Sequence, residues 1–335
     1  MNNSSATQRI SWYRSPVGRE ELALLNSRSD ILGFLQTGGY LGLLVLTGSA
    51  VCFTAGLLPW WLVAPLVFFH GMCYNFMING FHELVHDSVF KIRFLNRIFL
   101  GILSFLGWYN HIHFWASHME HHKYTLHPPQ DLEVVLPSQF TLKNFVLRHI
   151  INPIGFVEVL RTTICLAVPK FTKPWDRYLF EEVVPEQRWK MCWWSRLVLA
   201  GHFAIVVTSV AFGWWLLPLV VTFAPFYGGW LFFLCNNTQH AGLQDKVSDF
   251  RLNTRTVILN PFVRFLYWHM NYHIEHHMYA AVPCYHLGRL HKLIENDLPS
   301  CPRGLIEAWR QIIAIQKRQE VDPEYQFVAK LPANG

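Results

Sequence analysis

The chain has 335 residues, of which 52% are hydrophobic and only 15% carry charged side chains. Soluble globular proteins average about 25% charged residues, so this composition favours a membrane protein over a soluble enzyme. The formal net charge of +6 indicates contact with anionic headgroups, and no motif of a nucleic-acid-binding module is present.

Two long runs of the sequence contain no Asp, Glu, Lys or Arg, at residues 31–82 and 197–244. Each run is about 50 residues long and a transmembrane helix needs about 20, so each run can hold two spans joined by a turn. We predict the four transmembrane helices at 31–57, 60–81, 197–217 and 219–236. All 28 Lys and Arg lie outside the runs, so the positive-inside rule places both termini in the cytoplasm, in a bacterial inner membrane or in the endoplasmic reticulum.

The remaining segments contain shorter predicted elements. We divide the chain into a cytoplasmic N-terminal arm (1–30), a membrane-embedded domain (31–300) and a cytoplasmic C-terminal helix and tail (301–335). We expect the arm to lie on the headgroups through Trp12, Tyr13 and Arg14. We predict a short helix over 94–116, a loop over 123–140, an interfacial helix over 141–168 and an amphipathic helix over 302–320.

Histidines recur at helical spacing in four places. Two of these groups have the pattern H-x-x-H-H, which puts three imidazoles on one face of a helical turn. They are His118, His121 and His122, and His273, His276 and His277. His82 and His86 lie one turn apart at the end of the second predicted span. Asn236 and His240 lie one turn apart at the end of the fourth.

These groups are all expected on the cytoplasmic side, so we predict that they converge just below the membrane. A zinc site takes three or four protein ligands, so nine histidines indicate two metal ions. Nitrogen-rich sites with open positions suit iron in oxygen chemistry. His82-Glu83-x-x-His86 also matches the H-E-x-x-H zinc metalloprotease signature, but a protease would leave both H-x-x-H-H groups unexplained.

Other polar residues are expected to support these groups. A ligating imidazole normally donates its other N–H to a carboxylate or carbonyl. The carboxylates nearest in sequence are Glu83, Asp87, Glu120, Asp245 and Glu275. For His70 and His202, inside predicted spans, we favour packing with a hydrogen bond to a neighbouring helix. Arg251, Arg255 and Arg264 either hold an anionic headgroup or extend to the membrane interface, and we favour the interface.

With these groups in place, the chain resembles the membrane fatty acid desaturase/hydroxylase family of non-haem di-iron enzymes, over about residues 30–295. The first pair and the two H-x-x-H-H groups look like its three histidine boxes. Asn236-x-x-x-His240 is similar to its additional ligand pair, in which the amide holds a metal-bound water. The resemblance implies an all-α integral membrane fold with four transmembrane helices in two hairpins, interfacial helices and a cytoplasmic di-iron domain. Its implied metal residues are His82, His86, His118, His121, His122, Asn236, His240, His273, His276 and His277.

The resemblance also implies an O2-dependent enzyme with two iron ions that introduces a double bond into a fatty acyl chain or related membrane substrate. A hydroxylase or ketolase of the same family would share every ligand, and it remains the alternative. No haem motif, nucleotide fingerprint or cysteine cluster is present, so the electrons are expected from a separate donor. That donor would be a ferredoxin-like protein, or a cytochrome b5-like protein with its reductase.

Overall fold

The computed structural model describes residues 9–136, 140–171 and 173–333, and within these ranges the protein is all-α, with only isolated β-bridges. The predicted arm, loop and tail also include residues 1–8, 137–139, 334 and 335, which lie outside the described residues. The α-helices are α1 (Arg19–Leu25), α2 (Asp30–Thr54), α3 (Trp60–Tyr74), α4 (Met77–Val85), α5 (Arg93–Leu106), α6 (His111–Tyr124), α7 (Leu142–His149), α8 (Pro153–Leu166), α9 (Pro174–Arg177), α10 (Arg188–Phe212), α11 (Leu216–Val220), α12 (Trp230–Asn236), α13 (Phe250–Asn253), α14 (Pro261–Leu266), α15 (His273–Met278), α16 (Cys284–Ile294) and α17 (Leu305–Gln319). A π-helical turn covers Tyr178–Val183, and 3-10 turns cover Pro185–Gln187, Ala224–Phe226 and Glu295–Asp297.

Three helical stretches of the described chain are long and apolar enough to cross a membrane. They are α2, α3 continued by α4, and α10 with the 3-10 turn that precedes it. Large apolar side chains on these helices face outward: Phe53 is 73% exposed and Phe203 is 71% exposed, as expected of groups that contact lipid. The first two predicted spans are confirmed as helices, whereas α10 begins earlier than predicted, at Arg188, and ends before Gly213.

The fourth predicted span, 219–236, is not one helix. The chain forms α11, then a 3-10 turn that contains Pro225, and then α12. Proline lacks an N–H and cannot continue the hydrogen-bond ladder of a helix. Gly228 follows with φ +70°, a left-handed conformation that side chains other than glycine rarely adopt. The helix breaks because of these local residues. A prediction of spans from the number of apolar residues does not take them into account.

The histidines inside the predicted spans satisfy polar groups around this break. His70 Nε2 donates to the carbonyl of Val220 at 2.8 Å, and Trp108 Nε1 donates to the carbonyl of Thr222 at 2.8 Å. His202 Nδ1 lies 3.2 Å from the hydroxyl of Thr222. A buried carbonyl without a hydrogen-bond partner costs several kcal/mol, so these contacts stabilise the broken segment. Both histidines therefore pack with hydrogen bonds to neighbouring segments, as expected.

Gly228→Ala is expected to destabilise the protein by about 3 kcal/mol, because a Cβ there combines left-handed strain with a backbone clash. That Cβ would lie 2.6 Å from the backbone nitrogen of Met72 and 2.7 Å from the carbonyl oxygen of Phe68. Gly213→Ala is the matched control, because Gly213 has φ +72° with open space around it, and we expect about 1 kcal/mol. Denaturant unfolding in detergent micelles measures both, and equal losses would contradict the close approach.

The shorter predicted helices are present, with breaks. The segment 94–116 contains most of α5 and the start of α6, where the side chain of Asn110 caps the backbone N–H groups of Ile112 and His113. The segment 141–168 divides into α7 and α8. The amphipathic helix predicted over 302–320 is confirmed as α17, and its Trp309 Nε1 donates to the carbonyl of Leu234 at 2.9 Å.

The N-terminal arm packs against the protein through its aromatic residues. Trp12 stacks on Phe250 with ring centroids 4.3 Å apart, and the backbone N–H of Tyr13 donates to the carbonyl of Ser248 at 2.9 Å. The guanidinium of Arg251 lies 3.8 Å from the centroid of the Tyr13 ring. Trp12 and Tyr13 therefore pack on protein segments that are distant in sequence, and their contact with headgroups stays a prediction.

Candidate metal centre

Four elements carry the nine predicted histidines to one place: α4, α6, the loop that follows α12, and α15. On α6 the i, i+3, i+4 spacing turns three imidazoles toward the other elements. Seven of the nine side chains are buried, and His86 and His122 are partly exposed. Burying so many imidazoles together is costly unless their nitrogens bind a partner. The cluster is therefore the candidate metal site.

The first group consists of His82, His86, His118, His122 and His276, each of which offers a nitrogen within 4.8 Å of the others. His122 Nε2 lies 2.9 Å from His118 Nε2 and 3.2 Å from His276 Nε2. The buried Nε2 of His86 has no hydrogen-bond partner among the described residues. Nitrogens that converge in this way can all act as ligands of one metal ion.

The second group consists of His121, His240 and His277, whose nitrogens also lie within 4.8 Å of one another. His273 packs against it, with its Nε2 3.1 Å from His240 Nε2 and 3.2 Å from His277 Nε2. Consecutive helical residues point about 100° apart. Each H-x-x-H-H motif therefore supplies ligand nitrogens to both groups, because its last imidazole points away from the one before it.

In several of these imidazoles, the ring nitrogen that faces away from the groups has an acceptor. His118 Nδ1 lies 2.9 Å from Glu133 Oε1, and His121 Nδ1 lies 2.8 Å from Asp131 Oδ2. His240 Nδ1 donates to the backbone carbonyl of Asn253 at 2.8 Å. Each of these contacts keeps the proton on Nδ1 and leaves the Nε2 lone pair directed inward. This is the tautomer that a metal needs, so the donor set fits two metal ions.

Burial lowers the pKa of most of these imidazoles, because a protonated ring loses its hydration inside the protein. Burial lowers the pKa of His86 to about 4 and, together with nearby His121, lowers that of His240 to about 3. Burial and neighbouring imidazoles also lower the pKa of His118, His122, His273, His276 and His277. At neutral pH these rings are therefore uncharged and have a free lone pair.

His121 differs from the other imidazoles. Burial acts to lower its pKa, but the carboxylate of Asp131 outweighs burial and raises the pKa of His121. The same contact lowers the pKa of Asp131, although burial alone would raise it. Asp131 is therefore ionised at neutral pH. Its carboxylate increases the basicity of the His121 imidazole, which strengthens that ring as a ligand.

A cavity of about 730 Å³ meets both histidine groups. His82, His118, His121, His240 and His273 line it at one side. Its other lining residues include apolar side chains such as Ile78, Val159, Leu166, Phe226 and Phe232. Asn236 lines the same cavity as His240 and His273. A long apolar molecule in this cavity would have one part next to the histidines.

The comparison with known families agrees with this geometry. The family model described as fatty acid desaturase matches residues 59–307, most of the chain and all ten predicted metal residues. The chain belongs to the fatty acid desaturase family. No curated protein gives a significant match to this desaturase-family chain.

The carboxylates that contact box histidines in this desaturase-family protein are mostly ones that the sequence did not single out. Asp131 and Glu133 lie in the loop after α6, behind the cis peptide bond between Pro128 and Pro129. Asp131 also accepts the backbone N–H of Leu126 at 2.8 Å, which closes this loop onto α6. The signal in the sequence that could have indicated these partners is a pair of acidic residues soon after a histidine box. That signal is weak, because residues about ten positions apart need not contact one another.

The carboxylates that the sequence did single out have different partners. Glu83 Oε1 lies 3.3 Å from His82 Nδ1 and 3.6 Å from His276 Nδ1, so it supports the first group as expected. Glu120 instead accepts from Lys123 Nζ and from the hydroxyl of Tyr178. The other three lie further from the rings: Glu275 pairs with His291 and Thr256, Asp245 lies beside Lys246, and Asp87 has no contact of this kind among the described residues.

The position of Glu83 also bears on the H-E-x-x-H signature. In a zinc protease the glutamate must reach a water on the metal side of the two histidines. Here Glu83 lies near Nδ1 of His82 and Nδ1 of His276, whereas the close contacts among His118, His122 and His276 join Nε2 atoms. The two histidines of the signature also share their group with three more imidazoles. The arrangement therefore does not favour the protease.

Two arginines between the last two histidine groups are buried rather than extended to the membrane interface. Arg255 is 5% exposed and donates to the carbonyls of Thr238 and Ala241 on either side of His240. Arg251 is 3% exposed and pairs with Asp249 and Asp297. For these two the expectation of interfacial side chains is wrong. Arg255 instead fixes the loop that carries His240.

Proposed function

We propose that the protein is an O2-dependent, membrane-embedded di-iron oxidoreductase that introduces a double bond into a fatty acyl chain or a related lipid-like substrate. One observation supports this above the others. Eight imidazoles converge as two groups, and His273 packs against the second, beside a cavity lined in part by apolar side chains, in a chain of the fatty acid desaturase family. Conversion of –CH2–CH2– to –CH=CH– consumes one O2, two electrons and two protons and yields two waters.

The chain's own residues prepare the site for this reaction. The five histidines of the first group would hold one iron, and the second group with His273 would hold the other, with Asn236 as the tenth metal residue. When bound, the iron supplies the redox chemistry that activates O2 toward an unactivated C–H bond. The carboxylates of Glu83, Asp131 and Glu133 keep the imidazoles oriented. The apolar side chains of the cavity would hold the acyl chain with one stretch next to the histidines.

The topology proposed for the chain has four membrane crossings. Three are α2, α3 with α4, and α10, and the fourth is the broken segment from α11 to α12. Both termini lie in the cytoplasm, as the exclusion of all Lys and Arg from the two apolar runs supports. A non-helical stretch at membrane depth is tolerated where protein buries it, and His70 and His202 provide the hydrogen bonds there.

The test is mass spectrometry of lipid extracts from a host that expresses the chain together with an electron donor. The control is the variant His273→Ala, His276→Ala, His277→Ala. We expect some acyl species to lose two hydrogens in the wild-type extract and none to do so in the control. A gain of one oxygen instead would identify a hydroxylase. Purified protein with zinc in place of iron would contradict the proposal.

A further inference from the structure

A groove of about 680 Å³ lies between the N-terminal arm and the end of α6. Arg9, Arg14 and Lys123 line it, and none of its described lining residues is a carboxylate. The side chains of Arg9 and Arg14 are exposed and have no carboxylate partner among the described residues. This arm groove is therefore a positively charged surface formed by two segments that are distant in sequence.

The arm groove reaches the first histidine group directly. His122 lines it, and His122 is one of the two box histidines that are not fully buried. The rings of His122 and His276 have centroids 4.9 Å apart, and those of His122 and His86 are 5.0 Å apart. A molecule bound in the groove would therefore contact His122, which is itself a member of the first histidine group.

A chain of aromatic rings connects the same groove to the second group. Trp12 lines the groove and donates its Nε1 proton to the carbonyl of Lys123 at 3.0 Å. Its ring stacks on Phe250 at 4.3 Å, and the centroid of Phe250 lies 5.3 Å from that of His277. Phe250 is 1% exposed, so this contact is shielded from water. Both metal positions are therefore in close ring contact with one surface.

We propose that the arm groove is the docking surface for the electron donor, and that the donor is a redox protein with an acidic face. This inference rests on the proposed function. Each docked donor would give up one electron and reduce one bound ferric ion to ferrous, so two such transfers would supply the two electrons of a turnover. Complementary charge attracts the donor and orients it, typically with a 10- to 1,000-fold effect on association.

The test variant is Arg9→Glu, Arg14→Glu, and the matched control is Arg310→Glu, Lys317→Glu on the exposed side of α17. The probes are an oxidised plant-type ferredoxin and a soluble cytochrome b5 domain, titrated at low salt against the purified full-length protein. We expect the arm variant to raise the dissociation constant of the better probe at least tenfold relative to wild type. The control variant should keep this constant within twofold of the wild-type value. Equal effects of the two variants, or wild-type protein that binds neither probe, would overturn the proposal.

A second readout separates docking from folding. Reduced methyl viologen is a small cation that needs no acidic docking face. We expect the arm variant to accept electrons from viologen as fast as wild type, but from the reduced acidic donor at least tenfold more slowly. An equal loss with both donors would mean that the variant is damaged, and would remove the support for docking.

The same variants distinguish a lipid surface from a protein partner. If the arm variant loses binding to vesicles that contain anionic lipid while its donor affinity is unchanged, the groove binds headgroups and the proposal is wrong. If viologen reduces no iron in the wild-type protein, the proposed function fails. The affinity for the two protein probes decides the docking surface in either case, because it is measured without turnover.

Discussion

His276→Ala and His277→Ala are expected to remove different metal ions, although the two residues are adjacent. His276 belongs to the first group and His277 to the second. Each substitution deletes a buried ligand nitrogen, so we expect each variant to retain about one iron per chain instead of two after dialysis against a chelator. Desaturation is expected to fall more than about 100-fold in both, because loss of a supporting residue alone costs about 10- to 100-fold.

The double variant should retain almost no iron, and His286→Ala on α16 should behave as wild type, since His286 belongs to neither group. Iron content is measured by elemental analysis, and the surviving ion by Mössbauer spectroscopy of ⁵⁷Fe-labelled protein. The two single variants should give different spectra, because their remaining ligands differ. Identical spectra, or loss of both ions from each single variant, would contradict the division into two groups.

Asp131→Asn is expected to lower the affinity of the second group for metal by about 10- to 100-fold, while the protein stays folded. The Asp131 carboxylate is 1% exposed, and its Oδ2 accepts from His121 Nδ1 and from the backbone N–H of Leu126, both at 2.8 Å. An amide of the same shape carries no charge, so it cannot stabilise the proton on Nδ1 as strongly. If the NH2 group of the asparagine takes the Oδ2 position, its N–H donors face two other donors, His121 Nδ1–H and the backbone N–H of Leu126, and both hydrogen bonds are lost.

Glu120→Gln is the matched control, because Glu120 is a buried carboxylate inside a histidine box that contacts Lys123 and Tyr178 but no imidazole. We expect its metal affinity to stay close to that of wild type. Competition with a chromophoric chelator measures both variants. If Glu120→Gln weakens metal binding as much as Asp131→Asn, the assignment of supporting carboxylates from hydrogen-bond geometry is wrong.

The contrast between Glu120 and Asp131 shows that a local sequence pattern does not predict which carboxylate contacts a histidine. Glu120 lies between His118 and His121, so sequence proximity favours it as their partner. On a helix, residues one or two positions apart generally point in different directions, and the Glu120 carboxylate contacts Lys123 and Tyr178 instead of a ring. Asp131 is ten positions beyond His121, and the loop after α6 brings it back. Only the folded path of the chain reveals that contact.

The sequence by itself determined the family, the apolar helices and the histidines of the site. Runs without charged residues indicate membrane-spanning segments, and i, i+3, i+4 spacing indicates one face of a helix. Both patterns are local, so they can be recognised in the sequence without a structure. Only the tertiary structure decided how adjacent histidines divide between two groups and where the N-terminal arm packs. Each of these depends on contacts between residues far apart in the chain, such as Trp12 with Phe250 or His240 with His273. Such contacts are set by how the helices pack together, and no period in the sequence encodes them.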